Sequence, residues 1–274
     1  MCPKLLQIGP FPIYGYGLML AIGFISASYL LTLEFRRRSI DPNLANNVTL
    51  LALIGGVAGS KILYLIEHWS SFVLDPIGMA FSPGGLTFYG GLILAAFAIY
   101  VYGKRKGIKF FVIADSTSPG LILAYGIGRL GCHLAGDGDY GFPTTLPWGT
   151  DYSRGTYPPS AAFRGFPEIT SQFPHGIVPD TTPCHPTPVY EFLLCALIFW
   201  FLWRIRKNTK PDGKLFSIYL ALAGLERFAI EFYRINLRMA FGLSEAQWIS
   251  LGLIAAGVSG WMYLTKNASS GKTA

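Results

Sequence analysis

Charge is scarce in this sequence. Asp, Glu, Lys and Arg make up 14% of its 274 residues, against 51% hydrophobic residues, and a soluble globular chain usually carries about 25% charged residues. So few charges cannot cover so much apolar surface in water, which excludes a pair of soluble domains of roughly 150 residues each. Intrinsic disorder is excluded as well, because it requires low hydrophobicity and high charge. Cysteine is also sparse. Cys2, Cys132, Cys184 and Cys195 form no CxxC pair and no dense framework, so a disulfide scaffold is not expected. Cys2 precedes the first apolar run instead of following it; this order suits neither a cleaved signal peptide nor a lipoprotein signal, and the first apolar run is expected to remain as an anchor. No internal repeat suggests the inverted halves of a transporter.

What the sequence has is long apolar segments. Residues 14–33 and 246–265 are each 20 residues without a charge, the length needed to cross a bilayer. Weaker segments lie near 46–67, 86–103, 111–132, 187–205 and 215–233. With the first span extending to about residue 34, the expected fold is all-α and integral to the membrane. It is a single domain, a seven-transmembrane helix bundle over 1–274, with an irregular outer (periplasmic) head at 134–185. Several spans carry ionisable residues, namely Lys61, Asp115, Arg129, Glu191, Glu226, Arg227 and Glu231. These are costly in lipid, so they should face a protein interior or a wet cavity.

The net charge of +7 is then a matter of sidedness. Arg36–Arg38, Lys104–Lys106 and Lys109, the cations between 204 and 214, and Lys266 and Lys272 all fall on one side. Lys4, Arg154, Arg164, Arg234 and Arg238 fall on the other, and Lys61, Arg129 and Arg227 lie within spans. The positive-inside rule puts the C-terminus in the cytoplasm and the N-terminus outside, so the excess charge reports topology and not nucleic-acid binding. The connection from 134 to 185 exceeds the usual loop length. Its aromatic residues, among them Tyr140, Trp148, Tyr152 and Phe163, favour a packed head.

Four clusters could carry chemistry. Gly126 to Gly141 surrounds Arg129 with glycines. Gly128 and Gly131 allow close approach of a helix or lipid headgroup, and an arginine there can hold a phosphate through two donors. The alternative is a packing seam with Arg129 paired to Asp115 or Glu191. A second cluster, Glu226 to Arg234, places Arg227 and Glu231 four apart on one helix face, either as a plain salt bridge or as a second cation beside Arg129. Leu86 to Ile93 places Tyr89 before a glycine pair, a position that also suits an interfacial belt residue. Cys184 to Glu191 supplies His185 and Glu191, either anchors of the head or proton handlers, with Pro186 and Pro188 suited to a helix entrance. Cys132, His133, Cys184, His185, Asp137 and Asp139 have residue types that suit zinc. Their spacing matches no zinc pattern, so no metal and no cofactor is expected.

In this order the clusters resemble the prolipoprotein diacylglyceryl transferase family of bacterial inner membranes. The resemblance runs from Tyr16-Gly17-Leu18-Met19 through Tyr89-Gly90-Gly91-Leu92-Ile93, Gly128-Arg129-Leu130-Gly131 and His185-Pro186-Thr187-Pro188-Val189-Tyr190-Glu191 to Arg227–Arg234, essentially the whole chain. It implies seven spans with the N-terminus outside, and transfer of diacylglyceryl from phosphatidylglycerol to the lipobox cysteine of a preprolipoprotein, with glycerol phosphate released. Arg129 matches the arginine that binds the headgroup, with Gly128, Gly131 and Asp137 beside it. Arg227 matches an essential arginine, Glu231 the acid four residues on, and Tyr16 the tyrosine of the first span. The chain departs where the family usually has a histidine, here Tyr89, and an asparagine, here Cys132, and its glycine-rich stretch is one residue longer. His133 or His185 is the expected replacement proton acceptor. A relative with another acceptor or lipid donor, a non-catalytic lipid-binding protein and a small transporter remain the alternatives.

Overall fold

A computed structural model describes residues 3–8, 11–82 and 84–269; Cys2 and Lys272 lie outside the described residues. The chain begins with a short antiparallel ribbon, β1 (Lys4–Ile8) and β2 (Phe11–Tyr14), which the all-α expectation did not include. Pro12 pairs within this ribbon opposite Gln7, and proline disfavours continuing the helix backward. From Gly15 the long elements are helices: α1 (Gly15–Arg37), α2 (Asn43–Glu67), then the short α3 (Trp69–Leu74) and α4 (Pro76–Phe81), α5 (Phe88–Arg105) and α6 (Phe110–Ala135). The small α7 (Pro159–Ala162) and α8 (Pro167–Thr170) interrupt the long connection, and α9 (Thr187–Ile205), α10 (Lys214–Ile230) and α11 (Glu245–Ser269) complete the chain.

Helices α1, α2, α6, α9 and α11 are long and apolar enough to cross a bilayer. Helix α10 has 17 residues and α5, with 18, ends on Lys104 and Arg105. Both stand where spans were expected, but they are shorter or less apolar than the other five. The expected sixth span reaches 233, whereas α10 stops at Ile230 and Glu231–Tyr233 tightens into a 3-10 turn.

The chain divides into two units, 28–116 and the remainder. In the first, α2 and α5 run antiparallel, and their backbones come close together at Gly59 and Gly90. A Cβ on Gly59 would meet the Gly90 carbonyl oxygen at 2.3 Å, and one on Gly90 would meet the Gly59 oxygen at 2.2 Å. Small residues permit this approach, which is how helices associate without a hydrophobic driving force. Lys61 spends its three ammonium donors on the Ser82 carbonyl (3.0 Å), the Ser82 hydroxyl (2.9 Å) and the Gly84 carbonyl (2.8 Å). Thr87 donates to Glu67 at 2.7 Å. The segment that leads into α5, and hence to Tyr89, is thereby fixed to α2. Farther along, Leu31, Phe35, Ala45, Val48 and Ile113 form an apolar core, with Asp115 buried against Arg38 at 3.6 Å.

In the second unit α1 and α6 pack antiparallel through another small-residue seam: Gly120 against Ala27, Gly23 against Ala124, and Gly131 against Tyr16 and Met19. Helices α10 and α11 repeat the pattern, Gly224 lying against Ser250 and Gly257 against Ser217 and Ala221. The long connection between α6 and α9 is packed, as its aromatic content leads one to expect. Tyr140, Tyr152, Phe163, Ile169, Val178 and Cys184 form its core, with Tyr140 stacked on Tyr152 at 4.2 Å between ring centroids.

Candidate active site

The seam fixes Arg129. Gly131 lets α1 approach the last two turns of α6 so closely that a Cβ there would lie 3.1 Å from Met19 and 3.2 Å from Tyr16, and Arg129 extends from the same stretch of α6. Its Nε donates to Glu191 Oε2, and its Nη1 donates to Asp139 Oδ2 at 2.7 Å and to the Cys132 sulfur at 3.4 Å. Glu191 stands in the second turn of α9, which Pro188 is suited to begin, and it is fully buried.

Three arginines converge on this one carboxylate. Arg227, from the end of α10, donates to Glu191 Oε1 at 2.9 Å, and Arg234 lies 3.3 Å from Oε2. Tyr125 adds a long hydrogen bond of 3.4 Å to Oε1. Two further carboxylates complete the arrangement. Glu231, also fully buried, lies 3.1 Å from Arg227 and accepts from Asn236 at 2.6 Å. Asp139 bridges Arg129 and Arg234 with its two oxygens. A buried ion pair recovers its desolvation cost only when geometry is good and further hydrogen bonds satisfy both partners, and sharing each carboxylate among several guanidiniums supplies those bonds. Satisfaction is incomplete, however. Among the described residues of this cluster, Nη2 of Arg129 and Nε of Arg234 are buried without a hydrogen-bond acceptor, and Glu231 Oε2 is buried without a hydrogen-bond donor.

Backbone contacts align the three chain segments. Gly141 donates to the His185 carbonyl at 2.8 Å, Phe142 to that of Tyr233 at 3.1 Å, and the Thr187 hydroxyl to that of Asp139 at 2.8 Å. A side chain on Gly141 would collide with the Tyr233 carbonyl at 2.2 Å, so glycine is required where the head meets the end of α10.

Arg129, Gly128, Gly131, Arg227 and Glu231 are thus brought to one place or its edge, with Tyr16 packed on Gly131. Asp137 lies beside Cys132 and Asp139, and burial raises its carboxyl above the usual range. Burial would also raise Asp139, but Arg234 and Arg129 outweigh it and hold that carboxyl down to about 2. His133 contacts the Tyr152 hydroxyl at 3.0 Å, and His185 contacts that of Tyr190 at 3.2 Å. Burial lowers His185 below its ordinary value, which favours the neutral ring. Tyr89 belongs to the other unit, in the first turn of α5. The oxygen and sulfur ligand atoms of Cys132, Asp137 and Asp139 lie within 4.8 Å of one another. Asp139 is already neutralised by two guanidiniums, so this corner is organised for anions more than for a cation.

The structure resolves one reading from sequence and extends two others. Of the two partners left open for Arg129 the structure gives Glu191, while Asp115 pairs with Arg38. Arg234, counted among the outer cations, is 5% exposed and part of the cluster, because the 3-10 turn after Ile230 folds it inward. Glu191, weighed as an anchor or proton handler, and Asp139, weighed only as a metal ligand, are instead carboxylates shared among the arginines. The signal for Arg234 was present in the spacing Arg227, Glu231, Arg234, three ionisable residues at the end of one span; none existed for Asp139.

Taken together, the fold and the cluster define a multi-pass helical membrane protein that holds three arginines around buried carboxylates at neighbouring helix ends. Comparison with known proteins makes this specific. The family model for prolipoprotein diacylglyceryl transferase matches residues 3–263, and the chain belongs to that family. It is similar to the phosphatidylglycerol–prolipoprotein diacylglyceryl transferases of Clostridium tetani (32% identity over 94% of this chain and 96% of the relative) and Dehalococcoides mccartyi strain 195 (32%, 95% and 93%). The same holds for that of Trichormus variabilis (31%, 96% and 90%).

Proposed function

We propose that the protein transfers diacylglyceryl from phosphatidylglycerol to the lipobox cysteine of a preprolipoprotein, the activity for which its relatives are named. The observation that carries this reading is the convergence of Arg129, Arg227 and Arg234, with buried N–H donors left over. In the transfer a thiolate sulfur bonds to a glyceryl carbon, the bond from that carbon to phosphate oxygen breaks, and glycerol phosphate leaves. Guanidiniums held in place before the reaction can stabilise the leaving phosphate without reorganising. Arg129, flanked by Gly128, Gly131 and Asp137, is the headgroup clamp. Arg227, oriented by Glu231, stabilises the leaving group, and Tyr16 lines the same place.

The thiol proton needs an acceptor, because the thiolate is the nucleophile. A tyrosine such as Tyr89 is ordinarily a poor base near neutrality, so we assign acceptance to His185 or His133. Substituting each with alanine tests this; full transfer in both variants overturns it. The protein is further proposed to be a single domain with seven spans, the N-terminus outside and the C-terminus in the cytoplasm, embedded in the bacterial inner membrane with the 134–185 head on the outer side. The deciding experiment is transfer of labelled diacylglyceryl from phosphatidylglycerol to a lipobox peptide by the purified protein, with Arg129→Ala as control. Transfer that the control abolishes is the expected result, and no transfer by correctly folded protein overturns the reading. In that event another acceptor or donor becomes the better reading, favoured by Tyr89 and Cys132 at the two positions where the chain departs from the family pattern.

A further inference from the structure

Asp139 differs from the other carboxylates of the cluster. Glu191 and Glu231 are fully buried on helix α9 and just past α10, whereas the Asp139 side chain is 34% exposed and extends from a glycine-rich turn. Gly136 and Gly138 on its N-terminal side both have positive φ, 58° and 90°. The backbone at Asp139 is nonetheless fixed, its carbonyl accepting from Thr187 at 2.8 Å. The main chain is therefore anchored while the side chain reaches the cluster from its accessible side. Each carboxylate oxygen there takes a different arginine, Oδ2 facing Arg129 at 2.7 Å and Oδ1 facing Arg234. That bridging geometry, one anion across two guanidiniums, is the geometry a phosphate adopts between arginines. The charge matches too, since a phosphodiester and an aspartate each carry one negative charge.

We propose that Asp139 is a built-in stand-in for the substrate phosphate: it holds Arg129 and Arg234 in register while the site is empty, and the phosphodiester of an anionic lipid displaces it on binding. This rests on the function proposed above and adds a residue that sets donor affinity. The unpartnered N–H groups of Arg129 and Arg234 make the exchange favourable, because a phosphate offers more acceptor oxygens than a carboxylate. Asp139 is ionised at neutral pH and so competes at full charge. In this role Asp139 is a positioning residue that acts through the arginines and touches no reacting atom.

The consequence is opposite to that of losing an ordinary site residue, since removing a competitor tightens binding. The test compares the wild type and Asp139→Asn in vesicles of phosphatidylcholine with increasing phosphatidylglycerol, measuring transfer to a lipobox peptide. The apparent KM for phosphatidylglycerol should fall on the order of fivefold, a modest coupling between a ligand and an internal group, while kcat does not rise. In detergent, added phosphatidylglycerol should raise the unfolding temperature of Asp139→Asn more than that of the wild type, and phosphatidylcholine should raise neither. An unchanged or higher KM in the variant overturns the proposal. If Asp139→Asn does not fold, Asp139→Ser is read the same way, and failure of both to fold shows a fixed structural role and overturns it. Absence of transfer and of any phosphatidylglycerol-dependent stabilisation in the wild type is a different result, which removes the functional reading itself.

Discussion

The two units bury charge in different ways. Within 28–116 the described ion pairs of Arg37 and Arg38 join one cation to one carboxylate, and Lys61 bonds to neutral oxygens. Arg38 faces Asp115, Arg37 donates to Glu34, and Lys61 exhausts its donors on three oxygens of one loop. In the other unit three arginines share Glu191 and two share Asp139. One-to-one pairing fixes helices, although even there Arg38 Nε is buried without a hydrogen-bond acceptor among the described residues. Shared pairing leaves a positively charged place that a single anion can complete. The difference separates charges that maintain the fold from charges that are available to chemistry.

The contrast is open to attack at four points. The largest effect is expected at the shared carboxylate. Glu191→Ala leaves three guanidiniums without their common partner and should destabilise the protein by about 3–5 kcal/mol, measured as a fall in unfolding temperature in detergent together with loss of transfer. Retention of wild-type stability would remove Glu191 from the centre of the network. Next, Arg227→Ala and Arg129→Ala should each lower kcat/KM for transfer by about 100-fold while the protein still folds, as judged by circular dichroism; a small effect in both would place the chemistry elsewhere. Third, Asp115→Asn, which removes the buried partner of Arg38, should cost roughly 1–3 kcal/mol of stability and leave the KM for phosphatidylglycerol unchanged. A shifted KM would break the distinction drawn between the units.

The smallest effect concerns pH. Asp139 is held at about 2 against an ordinary 3.8, so its folded form binds protons less readily than its unfolded form. Its contribution to stability is full above pH 3.8 and is lost as the pH falls toward 2. Unfolding temperatures measured across that interval should therefore decline less steeply in Asp139→Asn than in the wild type, and parallel declines would show that the carboxylate is not stabilised by its arginines.

Much of this architecture is legible along the chain. An uncharged run such as 14–33 can be solvated only by lipid or protein, and the helices begin and end within a few residues of the apolar segments because the same residues that favour lipid also leave no acceptor for an open backbone. The clustering of glycine around Arg129 marked that arginine, and the four-residue spacing of Arg227 and Glu231 marked their 3.1 Å pair. Glu191 was visible as an ionisable residue in a span and a candidate partner of Arg129, but not as the shared centre, because its three partners come from positions 62, 36 and 43 residues away. Arg234 was marked by its spacing from Arg227 and Glu231, but its burial was not. It follows the last apolar residues of α10, where polarity alone assigns it to water, and the turn at Glu231–Tyr233 with the Phe142–Tyr233 hydrogen bond carries it inward instead.

The sequence by itself determined the solvent of this protein, its helical character, the family it resembles and two of its three clustered arginines, because burial of apolar residues and local spacing are properties of short stretches. Only the tertiary structure decided which charges meet. Pairing across the bundle depends on the close approach that Gly131 and Gly141 allow and on the segment after α10 folding back under the head. Those are sums over distant parts of the chain, and no single stretch of sequence contains them.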